Sequence, residues 1–128
     1  MSFAWECREV KSIGDEFENQ AAELLRHSGL QILNRNYAGK TGEIDIIARD
    51  GNYLVFCEVR VRSNRAYAGA AGSIDFRKQR RLIRTAQLYL KSHPQWANSP
   101  CRFDVIAFEP PQSEQQSSPN WIRSAFTA

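Results

Sequence analysis

Between Tyr53 and Val61 the chain reads Tyr-Leu-Val-Phe-Cys-Glu-Val-Arg-Val, with apolar side chains at consecutive positions and only one acid and one base among them. Such a strand is covered on both faces, as in a layered α/β sheet, not half open to water. Immediately before it, Glu43-Ile44-Asp45-Ile46-Ile47-Ala48 alternates acid and isoleucine, and Arg49-Asp50-Gly51-Asn52 carries an Asp-Gly turn signal. Together these segments predict a β-hairpin. With Asp50-Gly51 as the central turn residues, antiparallel pairing sets Glu43 opposite Glu58 and Asp45 opposite Phe56. Alternation then sends Glu43, Asp45, Glu58 and Arg60 to one sheet face.

The remaining elements fit around that hairpin. Phe17, Ala21, Leu24 and Leu25 recur at helical spacing from Asp15 to His27, and Ser28-Gly29 supplies a stop. Leu30 to Leu33 is a short strand, and Asn34 to Thr41 a polar, glycine-containing connection. Ala66 to Gly72 is a small-residue loop leading into a second helix over Ser73 to Ser92. There Leu82, Ile83, Ala86, Tyr89 and Leu90 form an apolar face, with Arg77, Arg81 and Arg84 on another. Arg102 to Phe108 is a strand, Pro110 to Pro119 an exposed loop, and Trp121 to Phe126 a short edge strand. The resulting α-β-β-β-α-β order predicts a mixed β-sheet flanked by helices. At 128 residues the expectation is one domain, with a core over about 14–109, an exposed loop over 110–119 and a short strand or tail over 120–128.

Composition narrows the functional classes. With 42% apolar and 24% charged residues the chain is ordinary globular material. No run approaches the roughly 20 apolar residues of a membrane span, and the first residues lack the pattern of a signal peptide, so a cytoplasmic location is expected. Cys7, Cys57 and Cys101 are too widely spaced for a zinc motif or a disulfide framework, and His27 and His93 are expected at the surface. The net charge is only +3, yet residues 60–91 hold nine basic side chains against Asp75 alone. That polarisation predicts an anionic partner on one surface.

Like charges across a strand pair repel, so the acids of the hairpin need an offsetting agent. A hard divalent cation, Mg²⁺ or Mn²⁺, held by Asp45, Glu58 and Glu43, would serve, since such ions take one or two carboxylates plus water and phosphate oxygens. Arg60 would present a fixed positive charge to a phosphate, and Glu18 on the first helix could complete the acid set, with Glu23 the weaker choice. The chemistry would be metal-assisted hydrolysis of a nucleic-acid backbone. The same residues also admit a scaffold reading, with Glu43 and Asp45 on a solvated strand face and Glu58-Arg60 as a structural ion pair.

The string Gly42-Glu43-Ile44-Asp45-Ile46-Ile47-Ala48, the turn, and Leu54-Val55-Phe56-Cys57-Glu58-Val59-Arg60-Val61-Arg62 together resemble the PD-(D/E)XK (restriction-endonuclease-like) nuclease superfamily, and within it the small bacterial YraN family of endonucleases. Glu18 with Ala21 and Ala22, Leu33-Asn34-Arg35-Asn36, Ile74 through Lys78 to Leu90, Arg102-Phe103-Asp104-Val105-Ile106 and Ser124-Ala125-Phe126 extend the resemblance over most of the chain. It implies a restriction-endonuclease-like fold, Asp45 and Glu58 as metal ligands, Glu18 as supporting acid and Arg60 at the third motif position. Two departures stand out: the superfamily usually carries lysine where this chain has Arg60, and the family usually has glycine where it has Phe17. Arginine keeps the charge but stays protonated, so electrostatic stabilisation survives and proton handling does not.

Arg62, Arg65, Arg77, Lys78, Arg80, Arg81 and Arg84 could track a phosphate backbone beside the acids. Nothing in the sequence encodes base readout, so DNA structure and not base sequence would direct the contact. A twofold homodimer would let a single-site domain cut both strands. Two other readings fit the same residues: a non-catalytic nucleic-acid-binding relative whose site has lost its lysine, and a protein-interaction module with an acidic partner. Cys57 and Asp104 read as structural, and no phosphate-binding loop or serine-histidine-acid set is present.

Overall fold

The structure, a computed structural model, describes residues 16–61, 74–108 and 119–128. Helix α1 covers residues 16–27. It is followed by strands β1 (Gln31–Gly39), β2 (Gly42–Asp50) and β3 (Tyr53–Val61), helix α2 (Phe76–Ser92), a 3-10 turn (Pro94–Trp96), and strands β4 (Cys101–Phe108) and β5 (Pro119–Phe126). The five strands form one sheet in sequential order. β3 and β4 run parallel, joined through α2, and every other neighbouring pair is antiparallel. The mixed sheet flanked by helices, in the α-β-β-β-α-β order expected from the sequence, is therefore the architecture observed, extended by β5.

Each face of the sheet carries one helix. Ala21, Ala22 and Leu25 of α1 pack on Ile46, Ala48, Val55, Cys57, Ile106 and Phe108. Leu82, Ala86 and Tyr89 of α2 pack on Ile44, Ile47, Leu54, Phe56, Phe103 and Val105. The unbroken apolar run of β3 follows directly, since Leu54 and Phe56 serve one core while Val55 and Cys57 serve the other. Asp75 caps α2, its side chain accepting the Arg77 N–H at 2.7 Å. No helix among the described residues is long and apolar enough to cross a membrane.

Three sequence expectations change. The connection drawn over Asn34 to Thr41 is mostly strand, because β1 continues to Gly39 and only Lys40-Thr41 turn the chain. Gly42 follows with φ of 147°, its Cα facing the Thr85 hydroxyl, which lies 3.6 Å from where a Cβ would sit. The hairpin register is shifted by two residues: Asp50 pairs with Tyr53 and Ile47 with Phe56, leaving Gly51-Asn52 at the turn centre. The reason is backbone conformation. Gly51 has φ of 58°, which at the first central position of a two-residue hairpin turn suits glycine and would strain aspartate. Finally, His93 is half-buried and not a surface residue, stacked on Tyr89 with ring centroids 3.9 Å apart. The loops expected over Ala66 to Gly72 and Pro110 to Pro119 lie outside the described residues, apart from Pro119, which opens β5.

Asp104 holds the far edge together. It is fully buried and accepts from Arg102 Nε at 3.1 Å, Trp121 Nε1 at 3.0 Å and the Ser124 N–H at 3.0 Å. Ser124 has φ of 51°, so the carboxylate fixes a strained β5 residue beside the register shift between Phe103 and Val105. Asp104→Ala would leave Arg102 with only the half-exposed Asp50, 2.9 Å away, strip the Trp121 and Ser124 N–H groups of their acceptor, and release β5. The expected cost, read in a urea melt, is roughly 3–5 kcal/mol.

Candidate functional site

The central strands part where the acids begin. β2 and β3 remain paired from Asp50–Tyr53 as far as Ile46–Cys57. Beyond that point Asp45 Oδ2 accepts the Val59 N–H at 2.9 Å, so a backbone donor of β3 is satisfied by a side chain of β2. Strand alternation breaks at the same level. Ile44 belongs to the α2-side core and Ile46 to the α1-side core, although strict alternation would put both on one face. On β1, Asn36 has φ of 54°, a left-handed conformation in which asparagine is several-fold enriched. The expected single face for Glu43, Asp45, Glu58 and Arg60 is thus too simple, because the acids gather around a gap that both helices can reach.

From the α1 side comes Glu18. Asn36, its amide nitrogen turned toward acids that can only accept, donates to Glu18 Oε1 and Oε2 at 3.0 and 3.1 Å and to Glu43 Oε1 at 2.9 Å. Arg35 Nη2 stands 3.8 Å from Glu18 Oε1. From the α2 side, Lys78 Nζ meets Glu58 Oε1 at 2.8 Å, with the Glu58 side chain only 9% exposed. Burial pushes the Asp45 carboxyl up from 3.8 to about 7. The charge of Glu58 pushes the same way, the Val59 N–H works against it, and Glu18 and Glu43 add to the rise. The four carboxylates are therefore electrostatic neighbours.

Glu43, Asp45, Glu58 and Lys78 open into a cleft of about 510 Å³ between the β1–β2 turn and α2, lined also by Lys40, Thr41 and Arg81. Thr41 Oγ1 and Thr85 Oγ1 share a hydrogen bond at 2.7 Å, tying the turn to the helix. Oxygen donors on neighbouring strands, one of them with its pKa raised by burial and then by its acidic neighbours, fit a hard divalent cation. Among the described residues no three His, Cys, Asp or Glu side chains form a ready-made cage. An ion held by Asp45 and Glu58 would keep water or substrate oxygens in its shell, the usual habit of Mg²⁺.

Of the expected site residues, Asp45, Glu58, Glu18 and Glu43 come together. Arg60 lies half-buried on β3, two residues past Glu58. Arg62 and Arg65 fall outside the described residues. Arg77 and Arg84 are exposed on α2 and Arg81 lines the cleft. Glu23 is a surface residue pairing with Arg26 at 2.6 Å. Lys78, expected only as a phosphate contact, is instead part of the acid cluster. Its helical phase carries the signal: Lys78, Leu82 and Ala86 repeat every four residues, so it faces the sheet while Arg77 and Arg84 do not. Asn36 had no such signal, as its role depends on a left-handed backbone.

A mixed five-stranded sheet sandwiched by two helices, with its central strands parted around the buried Glu58, the part-buried Asp45 and a lysine, defines an α/β protein with an acid-lined cleft beside a basic helix. More particularly, the chain belongs to the family described as "Uncharacterised protein family UPF0102", whose model matches residues 17–108. It is 47% identical over 118 residues to a UPF0102 protein of Stutzerimonas stutzeri, covering 92% of this chain and 97% of that one. It is 46% identical over 119 residues to one from Alcanivorax borkumensis, covering 93% and 94%. A UPF0102 protein of Pseudomonas fluorescens is 46% identical over 113 residues, covering 88% and 91%. The matched span contains all but the first residue of α1, β1 to β4 and the whole acid cluster.

Proposed function

We propose that this protein is a divalent-metal-dependent nuclease of the PD-(D/E)XK type, hydrolysing DNA phosphodiesters with preference for DNA structure over base sequence. The observation that carries this reading is the convergence of Asp45, Glu58 and Glu43 in one cleft, with Glu18 near enough to act on Asp45, whose pKa burial and then these neighbouring charges lift to about 7. A scaffold of surface ion pairs gives no reason to bury such repulsion, whereas a cation site does.

In this reading Asp45 and Glu58 hold Mg²⁺ or Mn²⁺, which when bound supplies Lewis acidity and a more acidic water. The chain's own residues do the rest. The Val59 N–H fixes the Asp45 carboxylate, and Asn36 positions Glu18 and Glu43. Lys78 and Arg60 offer positive charge to phosphate oxygens, and Arg81 with Lys40 frames the strand entering the cleft. The ammonium of Lys78 supplies from α2 the lysine that the third motif position lacks.

The test is a Mg²⁺ and Mn²⁺ titration with labelled single-stranded, duplex, flapped and four-way DNA, scoring binding and cleavage beside Glu58→Gln. Metal-dependent cleavage should appear in the wild type and fall to background in the variant, whose thermal melt shows it folded. Cleavage persisting in Glu58→Gln would refute the site. Binding without product under either metal would favour the non-catalytic relative.

A further inference from the structure

Next to the acid-lined cleft lies a second cavity of about 650 Å³, and Thr41 lines both. Its described walls come from α2, the β1–β2 turn and the segment after the 3-10 turn: Arg84, Leu88, Lys91 and Ala97 among them, with no acid. Leu88 is one of the few large apolar side chains left exposed among the described residues. Along α2, Arg81, Arg84, Leu88 and Lys91 follow one another at intervals of three, four and three, a stripe along one helix face. The stripe spans about 15 Å at the usual helical rise. It begins in the acid-lined cleft at Arg81 and ends in the apolar groove at Lys91.

We infer that this groove is a subsite for an unpaired nucleic-acid strand leaving the cleft, with a base face on Leu88 and Ala97 and the backbone phosphates on Arg84 and Lys91. The inference rests on the nuclease reading and specifies the substrate. A duplex presents phosphates and base edges, while its base faces are stacked inside. An apolar floor between cations is wasted on a duplex but matches a single strand, whose bases offer apolar faces and whose backbone offers the charge. A basic face made for duplex phosphates would have a polar residue at position 88. The substrate class is therefore nucleic acid with a single-stranded segment, such as a flap, an overhang or a branch point.

The experiment measures fluorescence anisotropy of labelled single-stranded, blunt duplex and flapped DNA with the full-length protein in Ca²⁺, for wild type, Leu88→Glu, Leu88→Ala and Lys91→Ala. Wild type should bind single-stranded and flapped DNA at least several-fold more tightly than duplex. Leu88→Glu should weaken the single strand about tenfold and the blunt duplex no more than twofold, with Leu88→Ala and Lys91→Ala in between. Because Leu88 is exposed, thermal melts should coincide with wild type. Equal losses for single strand and duplex, or none in any variant, would overturn the groove assignment even if Glu58-dependent cleavage is intact. If wild type binds none of the DNAs, both the inference and the nuclease reading it rests on fall together.

Discussion

Asp45→Asn is expected to abolish metal-dependent cleavage, by roughly 10²–10³-fold or more, while making the metal-free protein more stable above neutral pH. The first effect follows because a charged ligand of the cation is lost, which removes several kcal/mol of transition-state stabilisation. The second is unusual for replacing a part-buried charge and follows from its desolvation together with the acids around it. Asparagine keeps the oxygen that accepts the Val59 N–H at 2.9 Å, yet carries no charge to be desolvated or repelled by Glu58.

Linkage gives the pH dependence a sign. The Asp45 pKa rises from 3.8 in the unfolded chain to about 7 in the fold, so the native state holds this proton more firmly than the unfolded state. Its contribution is most favourable below about pH 4, declines as pH rises through the window between 3.8 and about 7, and is flat above it. Compared with Asp45→Asn, the wild type should lose stability across that window, at a rate bounded by about 1.4 kcal/mol per pH unit. Denaturant melts of both proteins at pH 5, 6, 7 and 8 would read the difference. Parallel stability curves would show that Asp45 is not held in the crowded state described. Mg²⁺ should restore wild-type stability near pH 8 and leave the variant almost unmoved.

How far the sequence reveals all this can be judged residue by residue. The apolar run Leu54 to Cys57 announces a central strand because covering both faces leaves no polar position, and helix α2 announces itself through the period of Leu82, Ala86 and Tyr89. Asp45 and Glu58 are legible as partners because their strands are joined by a short turn. A register error of two residues leaves side-chain parity intact, so the acids stay close under either pairing. What the sequence hides is local backbone geometry. The break in alternation at Asp45 and the left-handed Asn36 bring α1 and α2 to the same gap, and no periodic pattern encodes either. Lys78 falls between these cases. Its helical phase points it at the sheet, but one lysine among six arginines and lysines on one helix reads as one more surface charge unless that phase is followed.

Lys78→Met is expected to reduce cleavage about 10²-fold and, in the same protein, to tighten Mn²⁺ binding several-fold. The two effects have opposite signs because the ammonium stands 2.8 Å from Glu58 Oε1, where it both repels an incoming cation and offers charge to a phosphate. Removing it leaves Glu58 more available to metal and leaves the reacting phosphate with fewer positive neighbours. A merely structural lysine would lower stability and activity without improving metal affinity, so calorimetric Mn²⁺ titration separates the two roles. Arg60 supplies the complementary variant. Arg60→Lys in the wild-type background should change cleavage by less than about threefold, since α2 already furnishes a lysine. In the Lys78→Met background the same substitution should recover a measurable part of the lost rate, by returning a compact ammonium two residues past Glu58. Were Arg60→Lys alone to raise cleavage by orders of magnitude while Lys78→Met changed nothing, the strand position would be the one that matters, and Lys78 would be only the counter-ion of a buried acid.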